Sequence, residues 1–217
     1  MDNSKHARAA GRPLRRQQVG KEGVIDAALA CLRKVVPQAL TMAEVAREAG
    51  VDPALVRYYC GDKAGLLRMV TMHLLADVQS RSEALASGTP LRDMVHQRIA
   101  LILDMSQRNP HFLELVMQEV YFAPDQGGSS EQTHMSQLAA TANRGVALSE
   151  SILQARTEGG REVDARLLHI ILLGACTFFG MAQPMLRVLF PEQEQPSALI
   201  ERYTQTLTDL IVEGIGH

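Results

Sequence analysis

Arg57, Tyr58 and Tyr59 stand in a row, with Lys63 four residues after the last of them. Side chains of these types suit contact with a nucleic acid. A guanidinium donates a two-pronged hydrogen bond to a guanine edge, and phenolic hydroxyls reach phosphate oxygens. Lys63 follows Gly61 and Asp62, which read as a helix stop and a helix start. Its ammonium therefore sits at a helix N-terminus, where anions are favoured. The bland alternative is a small helical core with a tyrosine-rich surface.

Such side chains need a stiff support, and residues 41–67, TMAEVAREAGVDPALVRYYCGDKAGLL, read as one. Thr41 with Glu44 forms a capping box, and Leu40 with Val45 occupies the two positions of a hydrophobic staple. Met42, Val45, Ala46 and Ala49 share one face at helical spacing. Gly50 ends that helix, and Asp52-Pro53 starts another with an acidic cap and proline in the first turn. Val56 turns inward. Two short helices joined by a tight glycine turn, with a third launched at once, make a helix-turn-helix.

The run VIDAALACLRK (24–34) followed by LTMAEVAREAGVDPALVRYYCGDKAGLL (40–67) resembles the DNA-binding domain of TetR-family transcriptional regulators. The resemblance is close over the first third of the chain and holds in outline beyond it. It implies an all-α fold, with a three-helix helix-turn-helix domain followed by a helical bundle for ligand binding and dimerisation. It also implies a ligand-responsive repressor, released from a palindromic operator by a small effector. The DNA contacts it implies are Thr41, Pro53, Ala54, Leu55, Arg57, Tyr58, Tyr59 and Lys63, joined by Arg15 and Arg16 from the N-terminal arm. Many family members carry aromatic residues where Arg57 and Cys60 stand, so sequence preference is sought at Arg57.

Composition agrees with a soluble globular chain, at 46% hydrophobic and 21% charged residues. The overall net charge of −2 hides an asymmetry. Residues 1–68 hold 12 Lys and Arg against 7 Asp and Glu, a net of +5, and the remainder carries −7. A basic head on an acidic body suggests that only the head meets a polyanion. Cys31, Cys60 and Cys176 are widely spaced and odd in number, which fits neither a disulfide framework nor a zinc site. With no secretory signal pattern at the N-terminus, a cytoplasmic, nucleoid-associated setting is expected.

The chain divides into a basic flexible arm (1–20), the helix-turn-helix domain (21–68) and the effector-binding and dimerisation domain (69–217). Helices are expected over 21–36, with Pro37 as the stop, and over 63–86. A third should begin with Thr89 as cap and Pro90 first and run to 108; a fourth reaches about 122. A loop at 123–130 precedes helices over 131–158, 163–189 and 197–214. No strand-period alternation of useful length is present.

Residues 167–186 carry no formal charge, which by length would permit a membrane span. His169, Gln183 and Pro184 inside the run, with Arg166 and Arg187 flanking it, argue for a buried or interfacial helix and no membrane partner. In the resembled family the last two helices pair with their copies, which implies a homodimer through Leu172, Ala175, Phe179, Leu207 and Ile211. Gly174 and Gly180 would permit close approach there. Met105, His111, Phe112, Met117, Tyr121 and Phe178 are candidates for an effector pocket, because methionine adapts its shape and bundle cores hold ligands. Few internal charges suggest an apolar or amphipathic effector. Ordinary core packing is the competing account of each residue.

No catalytic fingerprint is present, so an enzyme is not expected, nor is a cofactor or metal. Asp93 and His96 form a lone i,i+3 pair, read as a solvated surface pair. Two rivals stay open: an architectural DNA-binding protein without an effector, and a thiol-based redox regulator using Cys60 or Cys176.

Overall fold

In the head, the starts of the second, third and fourth helices are each fixed by a local side-chain hydrogen bond. The computed structural model describes residues 19–85, 89–122, 129–156, 160–190 and 195–216. Arg15, Arg16 and most of the expected loop at 123–130 lie outside these residues. Helix α1 spans Lys21–Leu32, and a 3-10 turn follows at Pro37–Ala39. Helix α2 spans Met42–Ala49, with the capping box formed: Thr41 N–H donates to Glu44 Oε2 at 3.0 Å and Glu44 N–H to Thr41 Oγ1 at 3.2 Å. Gly50 closes α2 in the left-handed region at φ 66°, where a side chain would be strained. Helix α3 spans Pro53–Cys60 and is capped by Asp52 Oδ1, which accepts from Ala54 N–H at 2.8 Å.

Helix α4 (Lys63–Leu85) leaves the head and α5 (Leu91–Arg108) returns along it. Helix α6 (Phe112–Val116) runs into a π-helical turn at Met117–Tyr121. Helices α7 (Ser129–Gln154), α8 (Ala165–Met181), α9 (Gln183–Leu189) and α10 (Pro196–Gly216) complete the body. Among the described residues there is no strand.

Two apolar cores hold the layers together. The first gathers Val24 and Ala28 of α1, Val45 of α2, Val56 of α3 and Leu66 and Val70 of α4, and it also takes in Phe112, Leu115 and Val116 of α6. The second joins Val95 and Ile99 of α5, Ile152 of α7, Leu172 and Cys176 of α8 and Ile211 of α10. Each fully buried aliphatic side chain stabilises by about 1.5–3 kcal/mol.

Three boundaries differ from expectation. Helix α1 ends at Leu32 because the residue before Pro37 is forced out of helical geometry, and Val36 is extended at ψ 153°. Pro90 lies just outside α5, extended at ψ 145°, so Leu91 opens the helix and Pro90 stands at the cap position expected for Thr89. The expected helix over 163–189 is two, α8 and α9, bent by 76° across Ala182. Pro184 explains the break: it has no N–H to offer the Gly180 carbonyl, and its ring crowds that group.

Candidate nucleic-acid interface

Helix α3 presents a sharply divided surface. Val56 is fully buried, whereas Pro53, Ala54, Arg57 and Tyr58 are exposed, Tyr58 to 81%. Leu55 and Tyr59 are half-buried, and Tyr59 packs against the first core. The two tyrosine rings meet edge to face with centroids 5.4 Å apart, which steadies the exposed ring.

The junction from α3 to α4 fixes the attitude of this surface. Asp62 Oδ1 accepts from Gly65 N–H at 2.8 Å and caps α4. A Cβ on Gly65 would stand 2.0 Å from the Cys60 carbonyl oxygen, so only glycine permits the two helices to meet this closely. Lys63 Nζ donates to the Gln38 carbonyl at 2.6 Å, tying α4 to the turn before α2. That leaves two of its three donors for other partners. Thr41 is exposed beside this turn, although its N–H and hydroxyl both engage Glu44. Those bonds hold the Glu44 carboxyl below its ordinary range.

The head is also wired to the body. Gln38 Nε2 donates to Glu114 Oε1 at 2.5 Å, and Glu114 Oε2 lies 3.2 Å from His111 Nδ1. Arg68 of α4 faces Glu119 of the π-helical turn at 3.9 Å. Sequence reading named His111 but missed Gln38, Glu114 and Glu119 as the link.

The six candidate pocket residues have different surroundings. Met105 and Phe112 are buried in the first core, His111 and Met117 are half-buried, and Tyr121 is exposed. Phe178 lies apart, lining an apolar cavity of about 300 Å³ between α8, α9 and α10 with Phe179, Met185, Phe190 and Tyr203. None of the other five lines it.

The candidate interface residues pack within the protomer. Leu172, Phe179 and Ile211 are buried in the protomer's own second core, Phe179 stacks on Tyr203 at 4.0 Å, and Leu207 packs partly against the same cluster. Ala175 is half-buried, and its carbonyl accepts from the Tyr203 hydroxyl at 2.8 Å. Helix α8 packs its inward stripe on α7 and α5 and turns the other stripe out, while α10 packs on α5. The outward stripe runs Leu167, Ile171, Gly174, Phe178 and Met181, and on α9 Val188 is exposed as well. Gly174 meets open space, as a close-approach glycine should, but a Cβ on Gly180 would strike Leu113 of α6 at 2.7 Å.

The thiols are poorly placed for redox sensing. Burial raises the Cys31 and Cys60 thiols above their ordinary value and pushes Cys176 up to about 12, so all three are held protonated and unreactive. Cys60 donates its S–H to the Val56 carbonyl. Among the described residues no group of three or more His, Cys, Asp or Glu is placed to hold a metal ion. His96 faces Glu201 of α10 at 3.7 Å. Among them also, no single helix is long and apolar enough to cross a membrane; α8 and α9 pass that test only as a bent pair.

Capped helices around a glycine turn, with one exposed polar edge on a helical body, define the class: a helix-turn-helix head on a helical bundle. Residues 24–70 match the model of the bacterial regulatory proteins of the tetR family. The HTH-type transcriptional regulator BetI of Serratia proteamaculans is 39% identical over 82 residues, covering 36% of this chain and 39% of that protein. The chain spans less than half the length of the curated relatives it matches. Whole-chain likeness lies in the fold. A TetR/AcrR-family regulator from Thermobifida fusca aligns with a TM-score of 0.59 at 17% identity, over 87% of this chain and 96% of that one. FadR of Bacillus subtilis, solved with stearoyl-CoA, aligns with a TM-score of 0.62 at 15% identity, over 89% and 98%.

Proposed function

We propose that the protein is a dimeric, ligand-responsive transcription regulator that represses from a palindromic operator. The observation that carries this reading is the divided surface of α3, which sets exposed Arg57 and Tyr58 directly beside buried Val56. A helix held so firmly on one side and so bare on the other suits insertion into a major groove. Arg57 reads a base edge, and Tyr58, Tyr59 and the start of α3 (Pro53, Ala54, Leu55) fit against the groove wall. Thr41 and Lys63 hold phosphates, and Arg15 and Arg16 follow the backbone or the minor groove.

The outward apolar stripe of α8, with exposed Val188 of α9, supports pairing with a second copy. Pairing sets two α3 helices about one helical turn of DNA apart, roughly 34 Å, which matches a palindrome. The stearoyl-CoA held by a neighbour of the same fold supports a body that takes a small molecule. Its binding tilts α4 through the links at Gln38–Glu114 and Arg68–Glu119, with a coupling on the order of 1–3 kcal/mol.

Genome-wide mapping of bound DNA tests the reading. Wild-type protein should collect on a few palindromic sites, and Arg57→Ala should lose them while staying folded. Equal occupancy by both proteins, or binding without any shared palindrome, would remove the recognition role from α3.

A further inference from the structure

Arg98 sits in the middle of α5 on the inward stripe that also carries Met94 and Ile102, and it is only 6% exposed. An aliphatic residue is the ordinary occupant of such a position. Its guanidinium reaches across to two other helices. One arm donates to Ser149 Oγ at 3.3 Å, and the other donates to the Gly145 carbonyl at 3.0 Å and faces His169 Nδ1 at 3.2 Å. All three partners are neutral. Burial, reinforced by the Arg98 charge, pushes the His169 imidazole down to about 4, so at neutral pH the ring is uncharged and its Nδ1 accepts from Arg98. The guanidinium falls only to about 10 and keeps its charge. Among the described residues no carboxylate forms an ion pair with Arg98. A buried cation is normally paired with an anion, and two of its five N–H donors are unused by these bonds.

The three acceptors are not equally fixed. Ser149 is fully buried and the Gly145 carbonyl belongs to the backbone of α7, whereas His169 is half-buried at the flank of α8. A Cβ on Gly145 would come within 2.1 Å of the His169 ring, so the ring rests directly on the α7 backbone in the position a flat acceptor takes beside Arg98. Around it the wall is apolar: Cys176 and Leu172 are fully buried in the same cluster.

We propose that Arg98 is the recognition point for a carboxylate-bearing, otherwise apolar effector, whose carboxylate displaces the His169 ring and pairs with the guanidinium between α5, α7 and α8. This rests on the effector reading above and names its chemical class. A planar carboxylate matches the guanidinium fork bidentately, as a hydroxyl or an amine does not. The apolar remainder of the ligand packs against the aliphatic side chains of the second core as the imidazole swings aside.

Sodium octanoate and 1-octanol are the probes, read by thermal midpoint and by the imidazole signals of His169. In the wild-type protein octanoate should raise the midpoint, shift the His169 signals and raise its pKa, because the carboxylate offsets the Arg98 charge. Octanol should do none of these. Arg98→Gln should weaken octanoate binding at least tenfold. His169→Ala, which removes the displaced ring and leaves the buried arginine in place, should bind octanoate at least as tightly as wild type; it serves as the folded test if Arg98→Gln does not fold. Octanol acting like octanoate, unmoved His169 signals, or weaker octanoate binding by His169→Ala would each overturn the proposal. Operator affinity is measured separately. Octanoate bound through Arg98 with no change in DNA affinity would leave the site standing and remove its role as effector site.

Discussion

Val56 and Arg57 are chain neighbours with opposite duties, so losing each should fail differently. Val56→Ala removes buried methyls from the first core and should destabilise by about 2 kcal/mol. Arg57→Ala should leave the thermal midpoint within experimental error and reduce operator affinity by about 1–3 kcal/mol. Paired melting and DNA-binding titrations check both, and a destabilised Arg57→Ala would make that side chain structural. His169 gives a second residue-scale prediction. Its folded value, about 4, lies below its ordinary 6.5, so the unfolded chain takes up the proton first. Its contribution is present above about pH 6.5 and is lost as pH falls through 4. Denaturation midpoints of His169→Gln should therefore decline less than those of wild type between pH 7 and pH 4; parallel declines would contradict the assignment.

At the scale of elements, α6 belongs to both halves of the molecule. Its apolar side chains enter the head's core while Glu114 reaches Gln38. That bridge is exposed, so Glu114→Ala should change stability by less than about 1 kcal/mol. If the bridge transmits the effector's influence, the same substitution should cut the ligand-induced change in operator affinity several-fold. An unchanged response would assign the coupling to the apolar contacts alone. Gly65→Ala is the harsher test of the head's attitude. Its Cβ meets a backbone oxygen that cannot rotate away, so a loss of about 1–3 kcal/mol is expected together with weaker DNA binding.

Elements also show what the sequence could convey. Thr41 with Glu44 and Asp52 with Pro53 are local signals, since cap and capped residue lie within a few positions, and the helix-turn-helix was legible from them. The long apolar run at 167–186 was not, because a helix apolar on every side announces no preferred face. Its partition between core and surface depends on α7 and α5, which arrive from other parts of the chain. The bend at Ala182 had a visible cause in Pro184. Arg98 had one too, as a charge on the stripe shared with Met94 and Ile102. Its partners Gly145, Ser149 and His169 come from other helices and have no mark in the local sequence.

At the scale of the whole molecule, the proposed pairing through α8 turns on a rotation of one residue. Adjacent residues of an α-helix are about 100° apart, so Ile171 and Leu172 take different surroundings. Leu172 is fully buried against the protomer's own core, while Ile171 is 55% exposed in a stripe with Phe178 at 63%, and Val188 of α9 is 85% exposed. The stripe on α8 repeats at intervals of four and three residues, the spacing that lets two helices interdigitate along a seam. Leu172→Ala should therefore destabilise the fold by about 2–5 kcal/mol, because it opens a cavity. Ile171→Glu should leave each protomer's helical content and interior unchanged and set a carboxylate in the seam, facing its own copy across the two-fold axis. A desolvated pair of like charges there opposes association strongly, so sedimentation should give a monomer. The same variant should bind a palindrome no better than a single half-site, since its two heads are no longer held together. A stable Ile171→Glu dimer would place the interface elsewhere on the body and leave the apolar stripe without an occupant.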